Sequence, residues 1–144
     1  MLSETLFYPD TRIFKAVLWT YLKTRAELAG IVNISQDHPK TANDIQDGKS
    51  RIVLSPAGNP KGRYLTRSLS EPSIRFTAYS VNEASCDNAI FQLQNALESW
   101  LPENFLMEGQ RLQFLNIANC IETLYSDAIN LYFASVIYKF YLSR

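Results

Sequence analysis

His38 is the only histidine in the 144-residue chain, and Pro39 follows it in a polar stretch. A serine or cysteine nucleophile that relies on a histidine base would have to use this residue. An isolated histidine in a polar loop is typical of a solvated side chain. We therefore predict no catalytic residue and no enzyme activity.

A metal site needs several convergent His, Cys, Asp or Glu ligands. Cys86 and Cys120 lie far apart and match no CxxC pattern, and the spacing of Asp37, Asp44 and Asp47 does not fit an EF-hand loop. The glycines form no phosphate-binding motif. The sequence thus predicts no metal and no cofactor. We expect both cysteines to be small buried side chains in a reducing compartment.

A basic cluster lies in the second polar stretch of the chain. Lys61, Arg63 and Arg67 surround Tyr64 there. Such a cluster is compatible with a protein interface, with plain solvent exposure or with nucleic-acid contact. The chain carries 14 Lys plus Arg and 14 Asp plus Glu, so the net charge is zero. This balance disfavours nucleic-acid binding, which depends on phosphate neutralisation, and it permits self-association.

Length and composition predict one domain spanning residues 1–144, because 144 residues with 47 % hydrophobic content can form a core. The opening residues lack a basic region, and no apolar run approaches the roughly 18–20 residues that a bilayer requires. We expect a soluble protein that is made in the cytosol and does not contact membranes.

The first half of the chain is predicted to contain a helix over 10–29, capped by Asp10 or Thr11 and closed by Gly30. Apolar residues recur along it at intervals of four, and lysines lie opposite. A short strand over 31–34 follows. A polar loop at 35–50, a strand at 51–54 and a loop at 56–72 complete this half; both loops are expected to be mobile.

The clearest pattern is a strand followed by a helix. Residues 73–80 alternate strictly, which places Ile74, Phe76 and Ala78 on one face. Ser80 and Glu83 fit a capping box for a helix that runs to about Trp100, where Pro102 stops it. The expected core stripe of this helix is Ala89, Ile90, Leu93, Leu97 and Trp100.

The C-terminal part is predicted to contain strands at 111–116 and 119–124, a turn at 125–128 and a long strand at 131–142. Both faces of the last strand are largely apolar, which is typical of core positions and of interface centres. The sequence therefore predicts an α+β fold, a single small domain with a mostly antiparallel or mixed sheet and two helices packed on one face.

The order of these segments resembles the tail terminator, or tail-completion, proteins of long-tailed bacteriophages and related gene-transfer particles. Four segments carry the resemblance: the helix Ile13–Ala29 running into Gly30-Ile31-Val32, the strand RIVLSP at 51–56, the unit SIRFTAYSVNEASCDNAIFQLQNALES at 73–99, and the closing strand ASVIYKFYL at 134–142. The third is the most specific. The chain differs from the family in its longer polar loop at 35–50 and in carrying Thr77 where a charged residue is usual.

The resemblance implies a structural virion protein. Such a protein forms a ring, expected to be a hexamer, that caps the tail tube, ends polymerisation and joins the head connector. Its partners are itself, tail tube protein and connector or neck proteins, and nucleic acid only passes through the lumen. It is located in the virion at the tail–head junction, and in the host cytoplasm during assembly. Expected interface side chains are Arg51, Lys61, Arg63, Tyr64, Arg67, Tyr132, Tyr138 and Phe140.

Two alternatives remain open on the sequence. Another neck or head-completion protein has the same size and class. A small nucleic-acid-binding module would use the basic loop around Tyr64. Co-assembly with tube protein or with connector would decide between the terminator and the first alternative, and steep salt-dependent binding to DNA would support the second.

Overall fold

The computed structural model describes residues 11–35, 37–45, 49–58, 69–104 and 111–143. Its elements, in chain order, are helix α1 (Thr11–Lys23), helix α2 (Ala26–Ala29), strand β1 (Val32–Ser35), a 3-10 turn (Ala42–Asp44), strands β2 (Ser50–Gly58), β3 (Leu69–Ser70) and β4 (Ser73–Ser80), helix α3 (Glu83–Asn104), and strands β5 (Arg111–Ser126) and β6 (Leu131–Ser143).

The strands form one mixed sheet. β1 pairs with β2 in parallel, and β2–β4, β4–β6 and β5–β6 are antiparallel. β3 continues the line of β4 along β6: Leu69 lies opposite Ser143 and Ser73 opposite Lys139, in the same register. The order across the sheet is therefore β1, β2, β3/β4, β6, β5. The predicted α+β fold with a mixed sheet and helices on one face is confirmed.

The helices cover one face of the sheet, which we call the helix face. Phe14 of α1 meets Phe140 of β6 edge-to-face, with ring centroids 4.9 Å apart. The Tyr21 hydroxyl of α1 donates to the Ala96 carbonyl of α3 at 2.9 Å, which ties the two helices together. Burial of the Tyr21 phenol raises its pKa. Fully buried strand residues on this face are Ile52, Leu54, Ile74, Phe76, Ala78, Val136, Tyr138 and Phe140.

The helix predicted over 10–29 is broken in two. The Thr24 hydroxyl donates to the Tyr21 carbonyl at 2.7 Å, and Arg25 is extended, with φ −82° and ψ 126°. A threonine hydroxyl that bonds a preceding carbonyl competes with the helical pattern, which explains why α1 ends at Lys23. Gly30 caps α2 as expected, although its φ of −94° is one that any residue adopts.

The predicted capping box of α3 is wrong. The Ser80 hydroxyl is buried without a hydrogen-bond partner, whereas the Asn82 side chain accepts from the Ser85 amide at 2.7 Å. Asn82 is therefore the N-cap, one of the residue types that best satisfy a free amide. The helix also continues past Pro102 to Asn104, because a proline near a C-terminus removes only one late hydrogen bond.

The two strands predicted at 111–116 and 119–124 are one strand. β5 runs unbroken from Arg111 to Ser126, and its pairing with β6 shifts at Leu112/Phe114, Ile117/Asn119 and Ile121/Leu124. Each shift is a β-bulge, which adds a residue and interrupts the alternation from which strands are predicted. The turn follows at residues 127–130, later than predicted, and Asn130 adopts the left-handed conformation with φ 56°.

The predicted loops are partly structured. β2 extends to Gly58, four residues beyond the predicted strand end, and β3 lies within the expected loop 56–72. In the loop 35–50, Thr41 and Asp44 form the capping box of the 3-10 turn. Residues 59–68 and 46–48 lie outside the described residues.

Candidate assembly interface

The two faces of β6 have different environments. Residues with even numbers point to the helix face, and Val136, Tyr138, Phe140 and Leu142 are fully buried. Residues with odd numbers from Phe133 to Tyr141 point to the other side of the sheet, which we call the open face. On it, Phe133, Ile137, Lys139 and Tyr141 are half-buried. Apolar side chains thus line both faces, but the helices of the described residues cover only one.

Tyr138 and Phe140, two of the expected interface residues, lie in the core of the subunit. The Tyr138 hydroxyl donates to Glu98 of α3 at 2.6 Å. Burial and the neighbouring Glu98 carboxylate raise the pKa of Tyr138 far above its usual value. Both rings therefore hold α3 and α1 on the sheet and are not exposed on the subunit surface.

Tyr132 lies at the other end of β6, beside the turn. It is half-buried, and its ring meets that of Tyr125 on β5 with centroids 5.0 Å apart. The Tyr125 hydroxyl donates to the Asn130 side chain at 3.2 Å. Of the three expected interface aromatics that lie within the described residues, Tyr132 alone reaches the surface.

Arg51 of β2 fastens the segment 37–45 to the open face. Its guanidinium donates to the Asp37 carbonyl at 3.1 Å and to the Asp44 carbonyl at 2.8 Å. His38 adds a 2.7 Å hydrogen bond between its Nδ1 and the Tyr79 hydroxyl. Backbone amides of the turn hold the pKa of the Asp44 carboxyl below its usual range. Arg51 and His38 thus have structural partners within the subunit.

The basic cluster Lys61, Arg63, Tyr64 and Arg67 lies outside the described residues. Its bounding residues are placed, however. Gly58 ends β2 opposite Ser73, and Leu69 begins β3 opposite Ser143. The described chain therefore stops at Gly58, opposite the first residue of β4, and resumes at Leu69.

The largest exposed apolar surface of the described residues is on β5, where the sequence predicted ordinary strands. β5 pairs only with β6, so its other edge is unpaired within the described chain. Phe114 stacks on Tyr141 at 4.2 Å yet is 54 % exposed. Such edges usually carry charge or proline, but residues 112–121 contain neither. The sequence of β5 thus lacks the usual marks of an edge strand. The exposed apolar side chains of β5 are Phe114, Ile117, Ile121, Leu124 and Tyr125.

A groove of about 350 Å³ separates β5 from the start of α3. We call it the α3–β5 groove. Its wall combines apolar side chains with carboxylates, and no Lys or Arg of the described residues lines it. The Thr123 hydroxyl donates to the Asp87 carboxylate across it, which joins the two elements. The lining residues are Glu83, Asp87, Ile90, Cys120, Ile121, Glu122, Thr123 and Ala134.

The two cysteines are not alike. Cys86 is completely buried at the start of α3, and burial raises the pKa of its thiol to about 11. Cys120 lies on β5 and is exposed, which corrects the prediction that both are buried. The error has a tertiary cause, because β5 lies at the edge of the sheet and the α3–β5 groove leaves Cys120 open to solvent.

Charge is distributed unevenly over the subunit. α3 carries four acidic residues and no Lys or Arg. On β2, β4 and β6, the charged residues of the open face are all basic: Arg51, Arg75 and Lys139. The neutral net charge therefore results from opposed local charges, an arrangement suited to contacts between copies.

Within the described residues, no group of three or more His, Cys, Asp or Glu is placed to hold a metal ion. No helix in the described part of the chain is long and apolar enough to cross a membrane.

Comparison with known proteins gives a match in structure only. No protein-family model and no curated protein sequence matches the chain. A chain in the virion of a native gene transfer agent particle is similar in fold, with a TM-score of 0.71 and 13 % identity. The match covers 96 % of this chain and 100 % of that one. A second solved chain has 15 % identity over 92 % of this chain and 96 % of its own, but its TM-score of 0.42 supports no conclusion.

Proposed function

We propose that this chain is a structural virion protein of a phage-like particle, and specifically a tail terminator. Copies would form a ring, expected to be a hexamer, that caps the tail tube, ends its polymerisation and offers the surface for the head connector. The observation that carries the proposal is the end-to-end similarity to a chain of the gene transfer agent virion. The resemblance of the segment order to tail terminators supports the specific role.

The exposed surface of β5 supports an assembly role independently. Large contiguous apolar surface on a soluble subunit marks interaction sites. β5 adds an unpaired edge to its exposed Phe114, Ile121 and Leu124. In a cyclic ring each subunit meets its neighbours through two different patches. β5 would supply one of them.

The mechanism would be steric and would need no catalytic residue. A subunit that resembles tube protein binds the last tube ring but does not present the same end again. Polymerisation then stops, because the next tube ring finds no matching surface. The remaining surface of the terminator ring would receive the connector.

The test is the mass of the purified chain by light scattering, alone and with purified tail tube protein, together with negative-stain imaging. The proposal predicts rings of six subunits, or tubes capped at one end and held at fixed length. A monomer that leaves tube growth unchanged would refute the terminator role. Binding to connector but not to tube would instead identify another neck or head-completion protein.

A nucleic-acid-binding module is the second candidate. The observation in its favour is the open face, where Lys139 lies two residues along β6 from Tyr141, whose ring stacks on Phe114. Cations beside exposed aromatic rings suit single strands. This candidate predicts DNA binding that weakens steeply with salt, whereas the terminator proposal predicts none at physiological ionic strength.

A further inference from the structure

The α3–β5 groove has the composition of a docking site for a basic segment. Glu83 and Asp87 on α3 and Glu122 on β5 are exposed at its rim, and Ile90, Ile121 and Ala134 line it. Aliphatic walls can accept the stems of Lys and Arg while carboxylates pair with their charged ends. Among the described residues the groove has three carboxylates and no cation, so it would bind such a segment more strongly than a neutral one.

The chain itself contains a segment of the complementary type. Residues 59–68 include Lys61, Arg63 and Arg67 and no acidic residue. These are three cations within ten residues, matching the three carboxylates of the groove in number. Tyr64 and Leu65 lie between them and offer apolar contact to the groove wall.

The segment is too short to reach the groove of its own chain. Between Gly58 and Leu69 it has a contour of about 38 Å when fully extended. The groove lies at the level of Ala78, since Ala134 pairs with Ala78. Leu69 precedes Ala78 by nine residues on the shared line of β3 and β4, so it lies about 30 Å from the level of the groove. Gly58 lies about 22 Å from the groove, because five residues along the sheet and three strand spacings across it separate the two. A chain that runs from Gly58 to the groove and back to Leu69 must therefore span about 50 Å, which exceeds the contour of about 38 Å. The distance from the sheet up to α3 adds to this span.

We infer that the α3–β5 groove of one copy receives the basic segment 59–68 of a second copy. The contact is heterologous, because the groove and the segment are different parts of the chain. It deepens the proposed function by naming the surfaces through which copies meet. Its energy comes from ion pairs together with burial of β5 side chains, so it weakens with salt.

The first test uses sedimentation of the full chain. We expect the groove variant E83Q/D87N/E122Q to associate about tenfold more weakly than wild type, from three partly exposed ion pairs. The matched control D37N/E71Q/D127N changes the net charge equally outside the groove, and it should associate as wild type does. Equal weakening in both variants would overturn the inference.

The second test does not require rings. A labelled peptide of residues 57–70 is titrated into the full chain, beside a peptide in which Lys61, Arg63 and Arg67 are glutamine. The inference predicts that the native peptide binds about tenfold more tightly, and that the groove variant loses this difference. Equal binding of both peptides, or undiminished binding to the groove variant, overturns it.

The two tests separate this inference from the proposed function. Rings that cap tubes but ignore the groove substitutions would refute the docking and leave the terminator role intact. If the chain caps no tube but its groove binds the peptide, the terminator role is refuted and the docking is supported. If tube protein, and not the peptide, depends on the groove carboxylates, the occupant is tube protein and the inference is wrong.

Discussion

β5 and β6 are neighbours in one hairpin, yet they have opposite environments. Both are rich in apolar residues, and both are long, with 16 and 13 residues. β6 lies between β4 and β5, and one of its faces is buried under α1 and α3. Within the described residues, β5 has a strand neighbour on one side only, and most of its side chains are exposed. β6 stabilises the subunit, whereas β5 exposes apolar side chains at the subunit surface.

The contrast shows that hydrophobic content does not by itself define a core. An exposed apolar strand lowers the solubility of a protein unless a partner covers the strand. The exposed apolar residues of β5 therefore call for a functional explanation. If the contrast is correct, substitutions in β6 should lower stability, and substitutions in β5 should alter assembly instead.

The largest expected effect is the difference in reaction rate between the thiols of Cys86 and Cys120. Cys120 on β5 should react at once with a water-soluble disulfide reagent, while Cys86 should react at least about a thousandfold more slowly, because it must wait for the helix to open. Timed absorbance after mixing measures both rates. The Cys120→Ala variant should show only the slow phase. Rapid reaction of both thiols would contradict the burial of Cys86 in the first turn of α3.

The next effect concerns two phenylalanines. Phe140→Ala should lower the free energy of unfolding by about 3–5 kcal/mol, because it empties a fully buried site beside Phe14. Phe114→Ala should cost about 1 kcal/mol, since that ring is half in solvent and loses chiefly its stack on Tyr141. Urea unfolding measures both. Equal costs would contradict the contrast between the strands.

Alkaline pH should destabilise the subunit through its buried thiol. The folded pKa of Cys86, about 11, lies above the ordinary value of 9.0. Its contribution to stability is therefore complete below pH 9 and is lost as pH rises through 11, by about 2–3 kcal/mol. Unfolding free energies between pH 8 and 11 should fall less steeply in Cys86→Ala than in wild type. Cys120→Ala is the control, and its slope should equal that of wild type.

The smallest predicted loss of stability is at the start of α3. Asn82→Ala removes the side chain that accepts from the Ser85 amide and should cost about 1 kcal/mol. Ser80→Ala should be neutral or slightly stabilising, because that hydroxyl is buried without a partner. Thermal or urea unfolding of both variants decides which residue caps the helix. A larger loss in Ser80→Ala would restore the capping box predicted from sequence.

The regular elements could be predicted from the sequence because their patterns are local. The alternation of Ile74, Phe76 and Ala78 and the spacing of Ala89, Leu93 and Leu97 identified the central strand and helix, and all six are buried. Buried side chains recur every second residue on a strand and every third or fourth residue on a helix, so the pattern is visible in the sequence.

The errors arose where local geometry departs from a fixed period. Thr24 redirects one hydrogen bond and divides a helix, and bulges between Leu112 and Leu124 hide the continuity of β5. The exposed surface could not be predicted either. Strand order decides whether an apolar strand is central or at an edge, and pairing partners far apart in sequence leave no local signal.

The most direct test of the contrast compares Leu124→Lys on β5 with Phe91→Lys on α3, two exposed apolar sites of 53 % and 57 % exposure. Both should keep their free energy of unfolding within about 0.5 kcal/mol of wild type. The assembled mass of each variant, alone and with tail tube protein, is measured by sedimentation. The account predicts that Leu124→Lys stays monomeric while Phe91→Lys assembles as wild type. Equal assembly by both variants would contradict the assignment of β5 as the assembly surface.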